Sequence, residues 1–389
     1  MTSRPDRAEI PVTLRPGMTD YIAEIPSVLA AGATELRERT EQLVAGISPV
    51  DRIDLVGSGT SLHAALAVRA ELEARLGIEV RALTPSDHLT AAQPRLGPGT
   101  VTVGISQTGR STGTLQVLDR ARTAGSASVL VTGWADSVGA GHADAVLDIG
   151  CGPEWVGART KGYVATLRSL FALSDALATA IGQPPTDPVA GVDLAGATAA
   201  VMTGTRARLD ELAGVLDGAP AIWLVSYGIG MATAREAALK LLETVRVPVP
   251  VFDVEEYMHG PYHCLEADTR VAFVAPDDAG RDRYLRLVDF VAERSEHVLV
   301  VEPEHLVTPA PATRLATPRL PTRFDPVTSI IPFQLLAAEL TWRKGREPGV
   351  SRYPDFHDRL ASKTPAPTAP VGTQTSTDAV APSRQNGQS

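Results

Sequence analysis

The chain has 389 residues, of which 21% are charged and 44% hydrophobic, with a formal net charge of −9. This is a globular composition, long enough for two ordinary domains. The acidic balance is spread along the sequence and argues against a nucleic-acid surface, but not against an anionic ligand held by local amides or cations.

Two cysteines, Cys151 and Cys264, are too few for a disulfide framework. The N-terminal stretch lacks the continuous apolar segment of a leader, and no apolar run approaches the ~18 residues of a membrane span. A cytoplasmic protein is expected, with neither nucleic acid nor membrane as a partner.

Residues 1–18 are polar and proline-bearing and read as a loose arm; residues 19–46 read as one or two helices interrupted near Pro26. A buried strand around Ile53–Val56 then runs into Gly57-Ser58-Gly59-Thr60-Ser61 and a helix. A strand near Glu79–Leu83 follows. Next comes a second strand–turn–helix unit whose turn is Ser106-Gln107-Thr108-Gly109-Arg110-Ser111. Strands alternating with helices predict parallel sheets covered on both faces.

The two halves repeat. A single shift of 169 lays Ile53–Val56 on Ile222–Val225, Gly59 on Gly228, and Val129–Val131 on Val298–Val300. It also lays Thr166–Ser174 on Leu335–Arg343. One shift serving elements so far apart predicts an α/β protein of two tandem, doubly wound parallel-sheet lobes. The expected boundaries are 47–183 and 205–347, after N-terminal helices within 1–46. A proline-bearing linker covers 182–193, and a helix over Leu194–Leu216 leads into the second lobe. A loop at 348–364 and a Pro/Ser/Thr/Gln-rich tail at 365–389, expected to be disordered, complete the chain.

Both first-lobe turns are hydroxyl-rich and open helices. Unpaired amides and the helix dipole favour an anion there, although Ser and Thr are also ordinary helix caps. Neither turn follows the dinucleotide fingerprint and no Walker lysine is present. In the second lobe, Glu236, Lys240 and Glu243 fall on one helical face. By itself that pattern also describes a solvated charge stripe. His63, His88, His142 and His357 are scattered without metal spacing, so neither a metal nor an organic cofactor is expected.

The run Ala237–Glu243 (AALKLLE), with His259-Gly260-Pro261 beginning sixteen residues after Glu243, resembles a known family. It is similar to the second half of the sugar-isomerase (SIS) domain pair of glucosamine-6-phosphate synthase. The turns GSGTS and SQTGRS, the segment Ala158-Arg159-Thr160-Lys161 and the ending Leu360-Ala361-Ser362-Lys363 resemble the same family. Residues 352–356 look closer to phosphosugar isomerases and fructosamine-phosphate deglycases.

The resemblance implies that Gly59, Thr60, Ser61, Ser106, Gln107, Thr108 and Ser111, with the backbone at Gly157 and Ala158, hold a sugar phosphate. It implies Glu243 as the carboxylate that moves a proton between C1 and C2, a step favoured by a pKa near neutrality. It implies His259 for ring opening, contributed across a homodimer interface, with Lys240 orienting Glu243 or holding an oxyanion. Lys363 would be the loop lysine that forms an imine with the open ketose, although this ending carries one residue more than the family's. Arg110 replaces an acidic residue and Arg159 a small one. Glu154 and Lys161 read as structural. No cysteine nucleophile follows Met1, so ammonia drawn from glutamine is not expected.

The expected activity is phosphosugar aldose–ketose isomerisation on an amino-sugar or fructosamine phosphate, with deglycation or ammonia-dependent amination as variants. A non-catalytic sugar-phosphate sensor, and an enzyme for an unusual phosphorylated substrate, stay open.

Overall fold

A computed structural model describes residues 16–47, 50–90, 96–276 and 280–365. Most of the expected arm and almost all of the expected disordered tail lie outside these residues.

Ten strands form two five-stranded sheets. The first holds β1 (Arg52–Val56), β2 (Glu79–Leu83), β3 (Thr100–Ile105), β4 (Ala127–Thr132) and β5 (Ala145–Asp148), in the order β2-β1-β3-β4-β5. The second holds β6 (Ile222–Ser226), β7 (Val251–Asp253), β8 (Arg270–Val274), β9 (Val298–Pro303) and β10 (Thr313–Thr317), in the order β7-β6-β8-β9-β10. Every pairing is parallel. β1, β3 and β9 are buried along their length, which is why they read as apolar runs rather than alternating patterns.

The repeat in the sequence is a repeat in register. Leu55 pairs with Ala82, and Leu224 pairs with Val251, both partners displaced by 169. Ile53 with Val101 and Ile222 with Arg270 repeat the same displacement.

The inner faces of both sheets, and the helices between them, merge into one hydrophobic core. Its centre is two long helices, Lys161–Ala180 and Asp325–Arg343, which are buried on almost every face. Fully buried side chains such as Leu170, Phe171 and Phe333 are each worth about 1.5–3 kcal/mol in water-to-interior transfer. Helices Thr60–Leu76 and Gly230–Thr244 follow β1 and β6 and pack against each other across the pseudo-symmetric centre.

Two local expectations are corrected. Met18 is not part of a loose arm: it begins a helix, Met18–Ala23, and is buried because the N-terminal helices pack on the shared core. The predicted helix 194–216 is two helices, Leu194–Ala207 and Leu209–Leu216, broken at Arg208. Arg208 donates there to the Arg314 carbonyl (2.6 Å) and clasps Glu211.

Candidate active site

β1 and β3 are neighbours at the point where the strand order reverses, the place where open parallel sheets bind ligands. The two hydroxyl-rich turns therefore lie side by side. Gly59 has φ +55° and ψ −127°, a conformation an L side chain rarely adopts. Gly109 has φ +61°, and a Cβ there would collide with Ser137. Both turns lead directly into helices, Thr60–Leu76 and Thr112–Thr123, and neither helix has a side-chain cap. Their first-turn amides and dipoles face the turns. Ser106 is buried; its Oγ donates to Ser111 Oγ (3.0 Å) and accepts from Ser111 N (3.3 Å). Thr108, Ser111 and Ser61 are partly exposed.

Two predicted ligand groups are turned inward. Thr60 Oγ1 donates to Glu236 Oε1 (3.1 Å). Gln107 Nε2 donates to Glu154 Oε2 (3.0 Å) and lies over Gly162. Glu154 also accepts from Thr160 N (2.6 Å), Thr160 Oγ1 (2.8 Å) and Gly162 N (3.0 Å). It is a buried carboxylate capping the Lys161–Ala180 helix, and it fixes the Gly157–Arg159 segment. Lys161 Nζ pairs with Glu24 and sits 4.8 Å from the Tyr21 ring centroid, tying that segment to the N-terminal helices.

The charged helix face is not a solvated stripe. Glu236 and Lys240 are fully buried where the two lobes meet. Lys240 Nζ donates to Glu243 Oε2 (2.7 Å) and to Thr60 Oγ1 (3.4 Å), and lies 3.3 Å from Glu236 Oε1. Burial pulls the ammonium pKa down, but the charges of Glu236 and Glu243 outweigh it and the net shift is upward.

Sequence reasoning missed His63. Its Nδ1 lies 2.7 Å from Glu236 Oε2 and completes the partners of that carboxylate. The signal was its place three residues after Thr60, one turn along the helix whose first turn meets Glu236.

Glu243 stands at the edge of this cluster, its side chain one-third exposed. It opens into a cleft of about 260 Å³ lined also by Gly157, Ala158, Arg352, Tyr353 and Phe356. Burial raises its pKa, against the pull of Lys240 and Arg159. A carboxylate shifted toward neutrality can both take and return a proton.

The C-terminal segment folds back onto the Ser106–Ser111 turn. Lys363 forms an antiparallel bridge with Ser111, Thr364 N donates to Arg110 O (2.8 Å), and Thr112 N donates to Ser362 O (3.2 Å). Burial, and then the charges of Arg159 and Arg110, push the Lys363 ammonium pKa down. Arg159 acts electrostatically on both Glu243 and Lys363. His259 is exposed, and no hydrogen bond or ion pair joins its ring to these groups among the described residues. A separate cavity of about 420 Å³, between the N-terminal helices and residues 184–195, shares no lining residue with the cleft. Among the described residues, no group of three His, Cys, Asp or Glu side chains is placed to hold a metal, and no helix is long and apolar enough to cross a membrane.

Residues 46–176 match the SIS domain family. The first lobe carries an SIS domain. It is 29% identical over 310 residues to a Streptomyces coelicolor protein named glutamine–fructose-6-phosphate aminotransferase (isomerizing), covering 77% of this chain and 50% of that one. A protein of the same name from Aeropyrum pernix is 30% identical, covering 81% and 51%. The chain thus spans about half the length of these curated relatives, and the similarity extends across both lobes. Among solved structures, a Clostridium difficile 630 protein with a provisional phosphosugar-isomerase assignment superposes with a TM-score of 0.80 at 25% identity, over 90% of this chain and 99% of that one. A Salmonella typhimurium LT2 protein with a provisional sugar-binding assignment gives 0.71 at 29%, over 83% and 99%. The chain therefore has the fold of phosphosugar-isomerase relatives, with two parallel five-stranded sheets.

Proposed function

We propose that this protein is an aldose–ketose isomerase of a phosphorylated sugar, acting on an amino-sugar or fructosamine phosphate. The observation that supports it is convergence: Arg159 acts electrostatically on both Glu243 of the second lobe and Lys363 of the C-terminal segment, and Lys363 bridges to Ser111 of a first-lobe turn. The phosphate binds the Ser106–Ser111 and Gly57–Ser61 turns through hydroxyls and helix amides. Glu243 carries the proton between C1 and C2, and Lys240 holds it in place while keeping the neighbouring carboxylates charged. Lys363 supplies an amine for the open-chain carbonyl.

His259 opens the ring from the partner subunit of a homodimer. Its exposure supports that assignment.

The test is a thermal-shift screen with hexose, hexosamine and fructosamine phosphates, followed by proton NMR of each hit in deuterium oxide. Stabilisation by mass action identifies ligands. Exchange of a C1 or C2 proton with solvent is the expected result. Binding without exchange would replace the isomerase with a sugar-phosphate sensor, the reading that the sugar-binding assignment of the Salmonella relative favours.

A further inference from the structure

We propose that Arg110 is a positioning residue for Lys363: it docks the C-terminal segment onto the phosphate turn and holds the lysine amine beside Arg159. The inference rests on the reading that Lys363 acts on the sugar.

Arg110 grips Thr364 at both ends. Its carbonyl accepts from Thr364 N at 2.8 Å, and its Nε donates to the Thr364 carbonyl at 2.7 Å. Between these bonds and the Thr112 contacts to Ala361 and Ser362, the backbone of Lys363 bridges to Ser111. Lys363 therefore sits in the middle of a docked strand, not at a free end. The turn before it is also fixed: Ala361 has φ +46°, and Ser362 bonds to His357 through its amide and its hydroxyl.

The choice of residue types fits the role. The chain has four lysines, Lys161, Lys240, Lys344 and Lys363, among its 36 lysines and arginines. Lys161 and Lys240 are buried in ion pairs. Lys363 has no carboxylate within ion-pair distance among the described residues; burial disfavours its ammonium most, Arg159 and Arg110 add to that as like charges, and Asp358 opposes them. Arginine keeps its proton at any ordinary pH, whereas lysine can release one to become a nucleophile. A like charge nearby favours that release. An acidic residue at position 110, as the resemblance leads one to expect, would oppose the Thr364 carbonyl and favour the ammonium. Arginine reverses both effects.

Competitive labelling with trace acetic anhydride across a pH series, read peptide by peptide by mass spectrometry, gives the titration midpoint of Lys363. Hydrogen exchange of residues 356–364 reads the docking. In wild type the Lys363 midpoint should lie below the ordinary lysine value. In Arg110→Met it should rise, because one of the like charges acting on the amine is gone, and exchange of the segment should quicken. Arg110→Lys keeps a charge and a donor, and should restore both readouts to near wild type. Unchanged midpoint and exchange in Arg110→Met would overturn the inference, as would Arg110→Lys behaving like the Met variant.

Trapping with fructose 6-phosphate and borohydride separates the two readings. In that step a bond forms between Nζ and C2, the carbonyl oxygen leaves as water, and borohydride reduces the imine. Labelling shifts as expected without any trapped adduct on Lys363 would remove the catalytic reading of the lysine and leave the positioning by Arg110 intact.

Discussion

At the end of β1 the chain opens into the Gly57–Ser61 turn, where Ser58 is exposed, Ser61 is partly exposed and Thr60 turns inward to Glu236. At the matching end of β6 the Tyr227 ring fills the turn, beside a cleft of about 360 Å³ lined also by Asp253, Glu255 and Asp282. Tyr227 is buried, its hydroxyl donates to the Pro276 carbonyl at 2.9 Å, and a Cβ on Gly280 would lie 2.6 Å from its ring. The helices behind these turns also diverge at matched positions. The shift of 169 lays Glu71 on Lys240. Glu71 meets Arg323 (2.8 Å) and Arg75 (3.0 Å) and joins the lobes as a structural tie. Lys240 meets two carboxylates, one of which reaches the cleft. The duplicated fold therefore supplies two matched strand ends, one rich in hydroxyls and the other filled by an aromatic ring and bordered by carboxylates. In the other lobe the helix face is free to carry acid–base groups.

If that division holds, the largest effect should come from Glu243→Gln. The amide keeps the shape but cannot move a proton, so turnover should fall by about 10²–10⁴-fold. Denaturant stability should change little, because Glu243 is at the edge of the cluster. Wild-type turnover on the true substrate would end its assignment. Lys240→Met should act in the opposite way, mainly on folding. It leaves Glu236 buried without its cation, and unpairing a buried charge costs about 3–5 kcal/mol. Urea midpoints at constant slope measure it. A loss below ~1 kcal/mol would mean that His63 and Thr60 suffice to satisfy Glu236.

Much of this architecture was legible in the sequence. The constant shift predicted the repeated topology because buried parallel strands keep their register when copied. The hydroxyl-rich turns and the Glu236–Lys240–Glu243 face were visible as local spacing. Their surroundings were not visible. Thr60 and Gln107 looked like ligand groups, yet both turn to carboxylates, Glu236 and Glu154, which lie far away in sequence or on another loop. His63 looked isolated because its partner is 173 residues away. Arg110 looked like an odd replacement in a loop until the C-terminal segment lay across it. Local rules read a turn or a helix face; they do not read which distant group satisfies a buried polar atom.

The lobes should also differ in acid. Asp54, in the centre of β1, is fully buried among Arg81 (2.6 Å), Arg52 (3.3 Å) and His88 (3.6 Å). Burial works against its charge, but the nearby His88 ring and the two hydrogen bonds from Arg81 win, and its pKa lies well below the usual carboxylate range. A lowered carboxylate contributes stability above its unfolded pKa of about 3.9, and that stability is lost as pH falls toward the folded value. The matched residue in β6 is Trp223, which packs on Phe252 and Tyr257 at 5.7 and 6.0 Å and does not titrate. Below about pH 4, hydrogen exchange should accelerate in β1 and β2 before β6 and β7, with a loss of about 2 kcal/mol. Asp54→Asn should flatten that acid limb. Equal acceleration in both sheets would erase the contrast.

The smallest effect tests the ring-filled end of β6. Tyr227→Phe removes one hydroxyl whose partner is a backbone carbonyl, a bond worth about 1 kcal/mol. The ring still fills the space beside Gly280, so the packing of the second-lobe strand end should persist. Stability should fall by that amount, and turnover and phosphate affinity should not move. A change in KM for the sugar phosphate without a change in stability would show that the β6 end communicates with the ligand. The division between a ligand-binding first-lobe end and a ring-filled second-lobe end would then have to be withdrawn, because a ring that serves only packing has no route to substrate affinity.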